Sequence, residues 1–314
     1  MNRASTWVVT DGGRTPVAKV AARTLRKRLE AVWRELGAAC RPRHDPERVH
    51  QLRVATRRTL AALTAFRGVV PGKQRIWFEK RLRRIRRAAG STRDLDVLTG
   101  RLQHEAVALT AASTTHTRAT LVRDRLVTML AKRRDVSRQP IRAVRDELRA
   151  ADWPARVERL IDAVTSDGSD ETFAVYGRRR FRQMLERFFG QADRRLDEAP
   201  EIHRLRISGK KLRYALEIFA PVFPAAERTA CYDALERLQE TLGEFTDHAS
   251  AADRFRRWAR EKGVGPDRKA IAALQRMEDD RAEEARRAFV KWWKPARRRE
   301  LRRSFERTVR RKPA

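Results

Sequence analysis

Glycine and proline are scarce in this sequence, which has 14 glycines and 12 prolines among 314 residues. In average proteins, these two residues together make up roughly 12% of the chain. Here they cluster at a few places, whereas an all-β sandwich or barrel needs turn residues about every 8 to 12 positions. The scarcity of chain breakers therefore predicts an all-α protein of long helices joined by short connections.

Cysteine and long apolar runs are also lacking. The two cysteines, Cys40 and Cys231, are far apart and show no CxxC or Cys/His spacing, which argues against a disulfide scaffold or a zinc site and favours a reducing compartment. No stretch of about 18 apolar residues occurs, and the short run 7–9 is closely followed by Asp11, so neither a membrane span nor a signal peptide is indicated. We therefore expect a cytoplasmic protein.

Acidic residues are the minority among the charges, with 41 Asp and Glu against 73 Lys and Arg, a net charge of +32. Such a chain gains from counterion release when its basic residues neutralise closely spaced negative charges. Composition leaves three polyanions open: nucleic acid, an anionic membrane surface and a phosphate polymer. Because 41% of the residues are hydrophobic and recur throughout, the chain is expected to fold.

The sequence contains an internal repeat. HQLRV at 50–54 matches HRLRI at 203–207, and each residue of the second copy lies 153 positions after its counterpart, as His203 does after His50. The match continues well beyond the motif, to Gly90 with Gly243. We predict two related helical halves, 14–165 and 169–293, facing each other about an approximate two-fold axis.

Both copies place their basic residues on one face of a helix, opposite the apolar positions, at about 100° per residue. This face comprises His50, Arg53 and Arg57 in the first copy and His203, Arg206, Lys210 and Arg213 in the second; Arg58 and Lys211 flank it, and Tyr214 lies within the polar sector. Like charges three and four positions apart repel by a few tenths of a kcal/mol per pair, so a row that occurs twice indicates an anionic ligand rather than a solvated surface.

The histidines would donate hydrogen bonds to phosphate oxygens more strongly when protonated, so binding should strengthen as pH falls. Neither motif has a second histidine or a carboxylate at i+3 or i+4, and no metal site is predicted.

A second repeated element contains Gly90 with Asp94 and Gly243 with Asp247. Glycine suits the C-terminal cap of a helix, and a carboxylate suits the first turn of the next one. We therefore predict that one helix, 72–88, stops before Gly90 and that another, 92–112, restarts beyond it, with the same break at Gly243. Arg93, whose counterpart is a threonine, either pairs with a carboxylate or reaches the anion.

Residues 294–314 form a separate basic tail with one narrow apolar stripe of Leu301, Phe305 and Val309. This tail is interpreted either as a charged helix end or as an auxiliary arm. As an arm, it would contact a granule surface or a protein partner.

The paired motifs HxLRVxxRR at 50–58 and HxLRIxxKKLRYALE at 203–217, each followed by its glycine element, resemble the CHAD family, the conserved histidine α-helical domain. The resemblance covers about residues 14–260, and we assign the domain to 14–293. It implies two pseudo-symmetric four-helix bundles around a central basic channel that binds inorganic polyphosphate. The implied channel residues are His50, Arg53, Arg57, Arg58, His203, Arg206, Lys210, Lys211, Arg213 and Tyr214, with Arg93 as a further candidate.

We expect a non-enzymatic polyphosphate-binding protein without a cofactor, located in the cytoplasm and associated with polyphosphate granules. The sequence has no P-loop, no GxSxG or HExxH motif, and no ExExK signature. Two alternatives are a nucleic-acid-binding helical protein and a polyphosphate-processing enzyme. Nucleic acid is expected only as a non-specific competitor, because Tyr214 is the only aromatic residue on the repeated face.

Overall fold

The computed structural model describes residues 7–8, 13–111, 116–166, 170–194, 196, 198–261 and 268–310, with side chains described outside 104–122. These residues form helices and one isolated β-bridge, between Pro16 and Thr172, so the predicted all-α fold is confirmed. None of the described helices is long and apolar enough to cross a membrane. Residues 167–169, at the predicted boundary between the halves, and 311–314, at the end of the predicted tail, lie outside the described residues.

The helices follow one another in the chain with short connections. They are α1 (Val17–Ala39), α2 (Pro46–Ala65), α3 (Gly72–Ala111), α4 (His116–Ser137), α5 (Gln139–Ala150), α6 (Trp153–Thr165), α7 (Phe173–Ala192), α8 (Ala199–Ile218), a 3-10 helix (Ala220–Val222), α9 (Ala225–Ala259), α10 (Arg268–Trp292) and α11 (Pro295–Arg310).

The repeat in the sequence recurs in the bounds of the helices. Helices α2 and α8 each contain 20 residues, and α8 begins at Ala199, 153 positions after Pro46 at the start of α2. Helix α9 likewise begins 153 positions after α3, at Ala225 against Gly72. Helix α2 packs against α1 and α3, α8 packs against α7 and α9, and α2 also packs against α8. The two-bundle arrangement about a two-fold axis stays a prediction.

Local sequence signals mark the starts of α2 and α8, the two helices that carry the motif. The Asp45 side chain accepts a hydrogen bond from the backbone N–H of Glu47 at 2.9 Å, and Pro46 occupies the first helical position of α2. Helix α8 has a proline in its first turn, at Pro200. The apolar positions of both helices are buried, as the periodicity predicts, and Leu52 has no exposed surface. The opposite, basic faces are thereby fixed in direction.

Aromatic residues join the two halves in one core. Phe66 and Phe219, which are counterparts in the repeat, have ring centroids 6.1 Å apart, and Phe173 packs against both. The Tyr176 hydroxyl donates a hydrogen bond to the backbone oxygen of Ala65 at 2.8 Å. One hydrophobic cluster contains buried residues from both halves, so the relative position of α2 and α8 is set by core packing.

The predicted helix breaks at Gly90 and Gly243 are wrong. Helix α3 runs without interruption from Gly72 to Ala111, and α9 runs from Ala225 to Ala259; the predicted end residue Ala112 lies outside the described residues. A glycine inside a helix is unfavourable by about 0.5–1 kcal/mol relative to alanine. The buried residues on either side of each glycine hold the helix in place and outweigh this effect.

Helix α11, in the predicted basic tail, is docked on the rest of the protein. Its stripe of Leu301, Phe305 and Val309 is buried against α7 and α9, and the Phe305 ring centroid lies 6.2 Å from that of Phe181. The apolar stripe is therefore part of the core. What α11 presents to solvent is its arginine-rich side, including Arg299 and Arg303.

Candidate functional site

The predicted cationic face lies along α2 and α8, where these two helices pack against each other. The structure places the predicted residues at different depths: His50, Arg53, Arg57, Arg58, Arg93, Arg206, Lys210 and Arg213 are half-buried, His203 and Lys211 are exposed, and Tyr214 is buried. Half-burial strengthens the electrostatic interactions of a cation because less water surrounds it. The face is therefore better suited to holding an anion than a fully solvated row would be.

The two copies of the motif come close to each other at this contact. Burial first, and then the charges of Arg206 and Arg57, lower the pKa of Lys210 from 10.5 to about 8. Arg57 and Lys210 occupy the same position in the two copies, 153 residues apart. Nearby, the Nε atom of Arg58 lies 3.7 Å from a carboxylate oxygen of Glu217 on α8. The two rows thus form one continuous cationic region.

The repeated glycines make room for the repeated arginines. Nη1 of Arg53 donates a hydrogen bond to the backbone oxygen of Arg86 on α3 at 3.0 Å, and a Cβ added to Gly90 would lie 3.8 Å from that same nitrogen. In the second copy, a Cβ on Gly243 would lie 3.6 Å from Nη2 of Arg206. Each guanidinium therefore lies against the neighbouring helix at its glycine. This packing explains why arginine and glycine recur at one offset.

The carboxylates predicted to lie in the first turn of a helix are instead in helix interiors, where they pair with arginines. Nη2 of Arg206 donates to Asp247 at 3.0 Å, and Nη2 of Arg254 donates to Asp94 at 2.7 Å. The first-turn prediction was wrong because it depended on the helix breaks. Of the carboxylates that the structure describes, none pairs with Arg93.

Both motif histidines have a pKa below the ordinary value of 6.5. Burial is the main cause for each; the charge of Arg93 then acts on His50, and the charges of Arg206 and Lys210 act on His203. Burial and the neighbouring cations thus favour the neutral form of both imidazoles. Within the described part of the chain, no group of three or more His, Cys, Asp or Glu side chains could hold a metal ion.

A buried carboxylate lies beneath the cationic region. Glu217, the last residue of the second motif, has no exposed surface and accepts a hydrogen bond from the Tyr232 hydroxyl at 3.4 Å. Burial raises the pKa of Glu217, while Arg58 and Arg28 act in the opposite direction. Arg28, on α1, donates to the backbone oxygen of Arg58 at 2.6 Å, and burial lowers its pKa to about 10. Arg28 has no place in the repeated motif, so the sequence pattern did not identify it.

Arg213 is held between two aromatic rings. Its guanidinium carbon lies 5.6 Å from the ring centre of Tyr214 and 5.7 Å from that of Tyr232, and its Nη1 lies 3.9 Å from a carboxylate oxygen of Glu236. Tyr214 is 5% exposed, so its ring is not available to stack on a ligand. Its role at the face is to support Arg213.

A cavity of about 300 Å³ opens beside α1 and α2. Of the predicted site residues, only Arg58 lines it. Its other basic lining residues are Lys19, Arg23, Lys27, Arg28 and Arg34, all on α1. The four-residue spacing of Lys19, Arg23 and Lys27 is the signal in the sequence that could have identified this surface. The basic region therefore extends from α2 onto α1.

Comparison with known proteins agrees with this fold. The family model of the CHAD domain matches residues 23–256. Among solved structures, the CHAD domain from the plant Ricinus communis has a TM-score of 0.68 at 21% identity, covering 96% of this chain and 95% of that one. PptA from Streptomyces chartreusis has a TM-score of 0.60 at 19% identity, covering 89% of this chain and 99% of that one. No curated protein matches the chain. The length of the family match, together with the paired motifs, establishes that this chain belongs to the CHAD domain family.

Proposed function

We propose that this protein binds inorganic polyphosphate through the adjoining basic faces of α2 and α8, and that it does so without catalysing a reaction. The observation that carries the proposal is that α2 packs against α8 with their repeated basic residues close together, so that Arg206 and Arg57, together with burial, lower the pKa of Lys210 to about 8. Gathering cations in a partly dehydrated place is unfavourable until an anion neutralises them. A bound chain of phosphates would remove this repulsion.

A phosphate polymer fits the face better than nucleic acid does. Cations three and four positions apart on a helix lie about 5 to 6 Å from each other, close enough to follow successive phosphates of a condensed chain. Membership of the CHAD family also associates the chain with polyphosphate. Proteins that bind single-stranded nucleic acid commonly stack bases on exposed aromatic rings, whereas Tyr214 is buried here.

The first experiment removes one arginine from each copy of the motif. The double variant Arg53→Ala, Arg206→Ala should bind long-chain polyphosphate more weakly than the wild type, and the slope of log K against log salt should become shallower. The matched control removes two exposed arginines of α11, Arg299→Ala and Arg303→Ala, and should change both quantities much less. Equal losses in the two variants would indicate diffuse attraction and contradict the proposed site.

Competition separates polyphosphate from nucleic acid as the preferred ligand. At about 150 mM salt, where weak surface attraction is largely screened, labelled polyphosphate should stay bound when DNA or RNA carrying the same total charge is added. Displacement of the polyphosphate by the nucleic acid would reverse this ranking and favour a nucleic-acid-binding protein.

Absence of catalysis is tested with purified protein and long-chain polyphosphate in the presence of Mg²⁺ or Mn²⁺. We expect no sustained release of phosphate and no nucleotide-dependent transfer of phosphate from the chain. Either activity, if it disappeared in a His203→Ala variant, would replace the binding proposal with that of a polyphosphate-processing enzyme.

We also propose that binding directs the protein to polyphosphate granules, with the solvent-facing arginines of α11 as a second contact for the granule surface or a protein partner. Because Leu301 and Phe305 are buried, deleting the helix would damage the core. The better test is the triple variant Arg299→Gln, Arg303→Gln, Arg307→Gln, followed by imaging. Unchanged location of this variant would contradict the role of α11.

A further inference from the structure

Both arginines on the basic face of the second copy lie near carboxylates of their own half. Arg206 pairs with Asp247 at 3.0 Å, and Arg213 lies 3.9 Å from Glu236 while packed between two tyrosine rings. Each of these arginines has already placed part of its charge against an acidic group of α9. A bound anion would have to compete with those carboxylates.

In the first copy, Arg58 at the flank of the face lies 3.7 Å from Glu217, but the residues that lie next to α3 are neutralised less. Asp94, the counterpart of Asp247, pairs with Arg254 rather than with Arg53, and the guanidinium of Arg53 donates to a backbone oxygen. Glu47 acts on His50 but is itself bonded to Gln51. Across the described part of the chain, no carboxylate pairs with three arginines of this region, namely Arg57, Arg86 and Arg93.

The helices beside the two motifs carry different charge. At the offset of 153, Arg86 and Arg93 of α3 correspond to Gln239 and Thr246 of α9. Gln239 is buried, and its side chain donates to the backbone oxygen of Arg206 at 3.2 Å. Helix α9 thus packs a neutral side chain where α3 presents a guanidinium.

The arginines of α3 belong to the same electrostatic region as the motif on α2. Burial is the main cause of the lowered pKa of Arg53; Asp94 opposes it, and the charges of Arg57, Arg86 and Arg93 add to it. Arg93 also lowers the pKa of His50. The excess positive charge is therefore concentrated where α2 meets α3, with Lys210 reaching this region from α8.

We propose that the phosphate chain is held unequally by the two copies, with its main anchor at the α2–α3 surface formed by Arg57, Arg86 and Arg93. The second copy contributes chiefly Lys210, and its arginines contribute less because they lie near carboxylates. This inference rests on the proposed binding of polyphosphate and adds Arg86 to the residues that contact it.

The test replaces two residues of α3 by those found at the equivalent positions of α9. The variant Arg86→Gln, Arg93→Thr gives α3 the residues that α9 carries at the same positions. Its control, Arg204→Thr, Arg237→Gln, removes two positive charges from α8 and α9 by the same substitutions. All four arginines have solvent-accessible side chains, and thermal unfolding of each variant verifies that the fold is kept.

Binding of long-chain polyphosphate is measured by titration at several salt concentrations. The affinity of the α3 variant for polyphosphate should fall roughly tenfold or more, and its slope of log K against log salt should become shallower by about 2. The affinity of the control should fall less than about threefold. If the wild type binds tightly and both variants lose affinity equally, the proposal of unequal anchoring is wrong, and the proposed function is unaffected. Failure of the wild type to bind polyphosphate would overturn the proposed function itself.

Discussion

The lowered pKa of Lys210 predicts a specific pH dependence for the proposed binding of polyphosphate. In the unbound protein, burial and the nearby charges of Arg206 and Arg57 lower this pKa from 10.5 to about 8, while Asp247 acts weakly in the opposite direction. A bound phosphate chain would favour the ammonium form and raise the pKa again. Affinity should therefore be highest below pH 8 and should fall as the pH rises above that value, because binding then requires the uptake of a proton.

The size of this effect follows from the two pKa values. At pH 9.5, about one Lys210 in thirty would keep its proton in the unbound protein, so full restoration of the ordinary pKa would weaken binding roughly thirtyfold relative to pH 7. Lys210 is only half-buried, and solvent screening reduces the shift. We therefore expect a loss of about tenfold between pH 7 and pH 9.5.

Isothermal titration with long-chain polyphosphate at constant ionic strength measures this loss, because the internal phosphates of a long chain do not titrate in this pH range. The variant Lys210→Arg should bind almost equally at pH 7 and pH 9.5, since arginine stays charged. The variant Lys210→Met should bind weakly at both. Constant affinity of the wild type over this range, or the same loss in Lys210→Arg, would refute the argument that Lys210 is part of the site.

Two further predictions concern the histidines and the repeated glycine. Because His50 and His203 both have a pKa below 6.5, wild-type affinity should increase as pH falls below that value, and a His50→Asn, His203→Asn variant should lose this increase when titrated over the same range. At Gly90, alanine should raise the free energy of unfolding by about 0.5–1 kcal/mol without weakening binding, since its Cβ would be in ordinary contact with Arg53. Gly90→Leu should displace that guanidinium and weaken binding while the helix stays folded. Denaturant unfolding and polyphosphate titration check both variants, and wild-type affinity in Gly90→Leu would contradict the proposed packing.

Much of the candidate site could be predicted from the sequence because the pattern is local. Whether His50, Arg53 and Arg57 share one face depends only on the turn of the helix between them. The repeat, read at its constant offset, then identified the equivalent face around His203. The hydrogen-bond and ion-pair partners of those residues could not be predicted in the same way. Asp94 was predicted to lie in the first turn of a helix, and its pairing with Arg254 joins positions 160 residues apart.

The sequence by itself determined the helical class, the duplication and the direction of the two basic faces, since each follows from periodicity and residue spacing along a short stretch of chain. Only the tertiary structure decided that α3 and α9 continue through their glycines, because side-chain packing outweighs the small unfavourable effect of glycine in a helix. It also decided which of the described arginines pair with carboxylates and which do not. That distinction depends on distances between helices that are remote in the chain, and these are set by the shared aromatic core around Phe66 and Phe219.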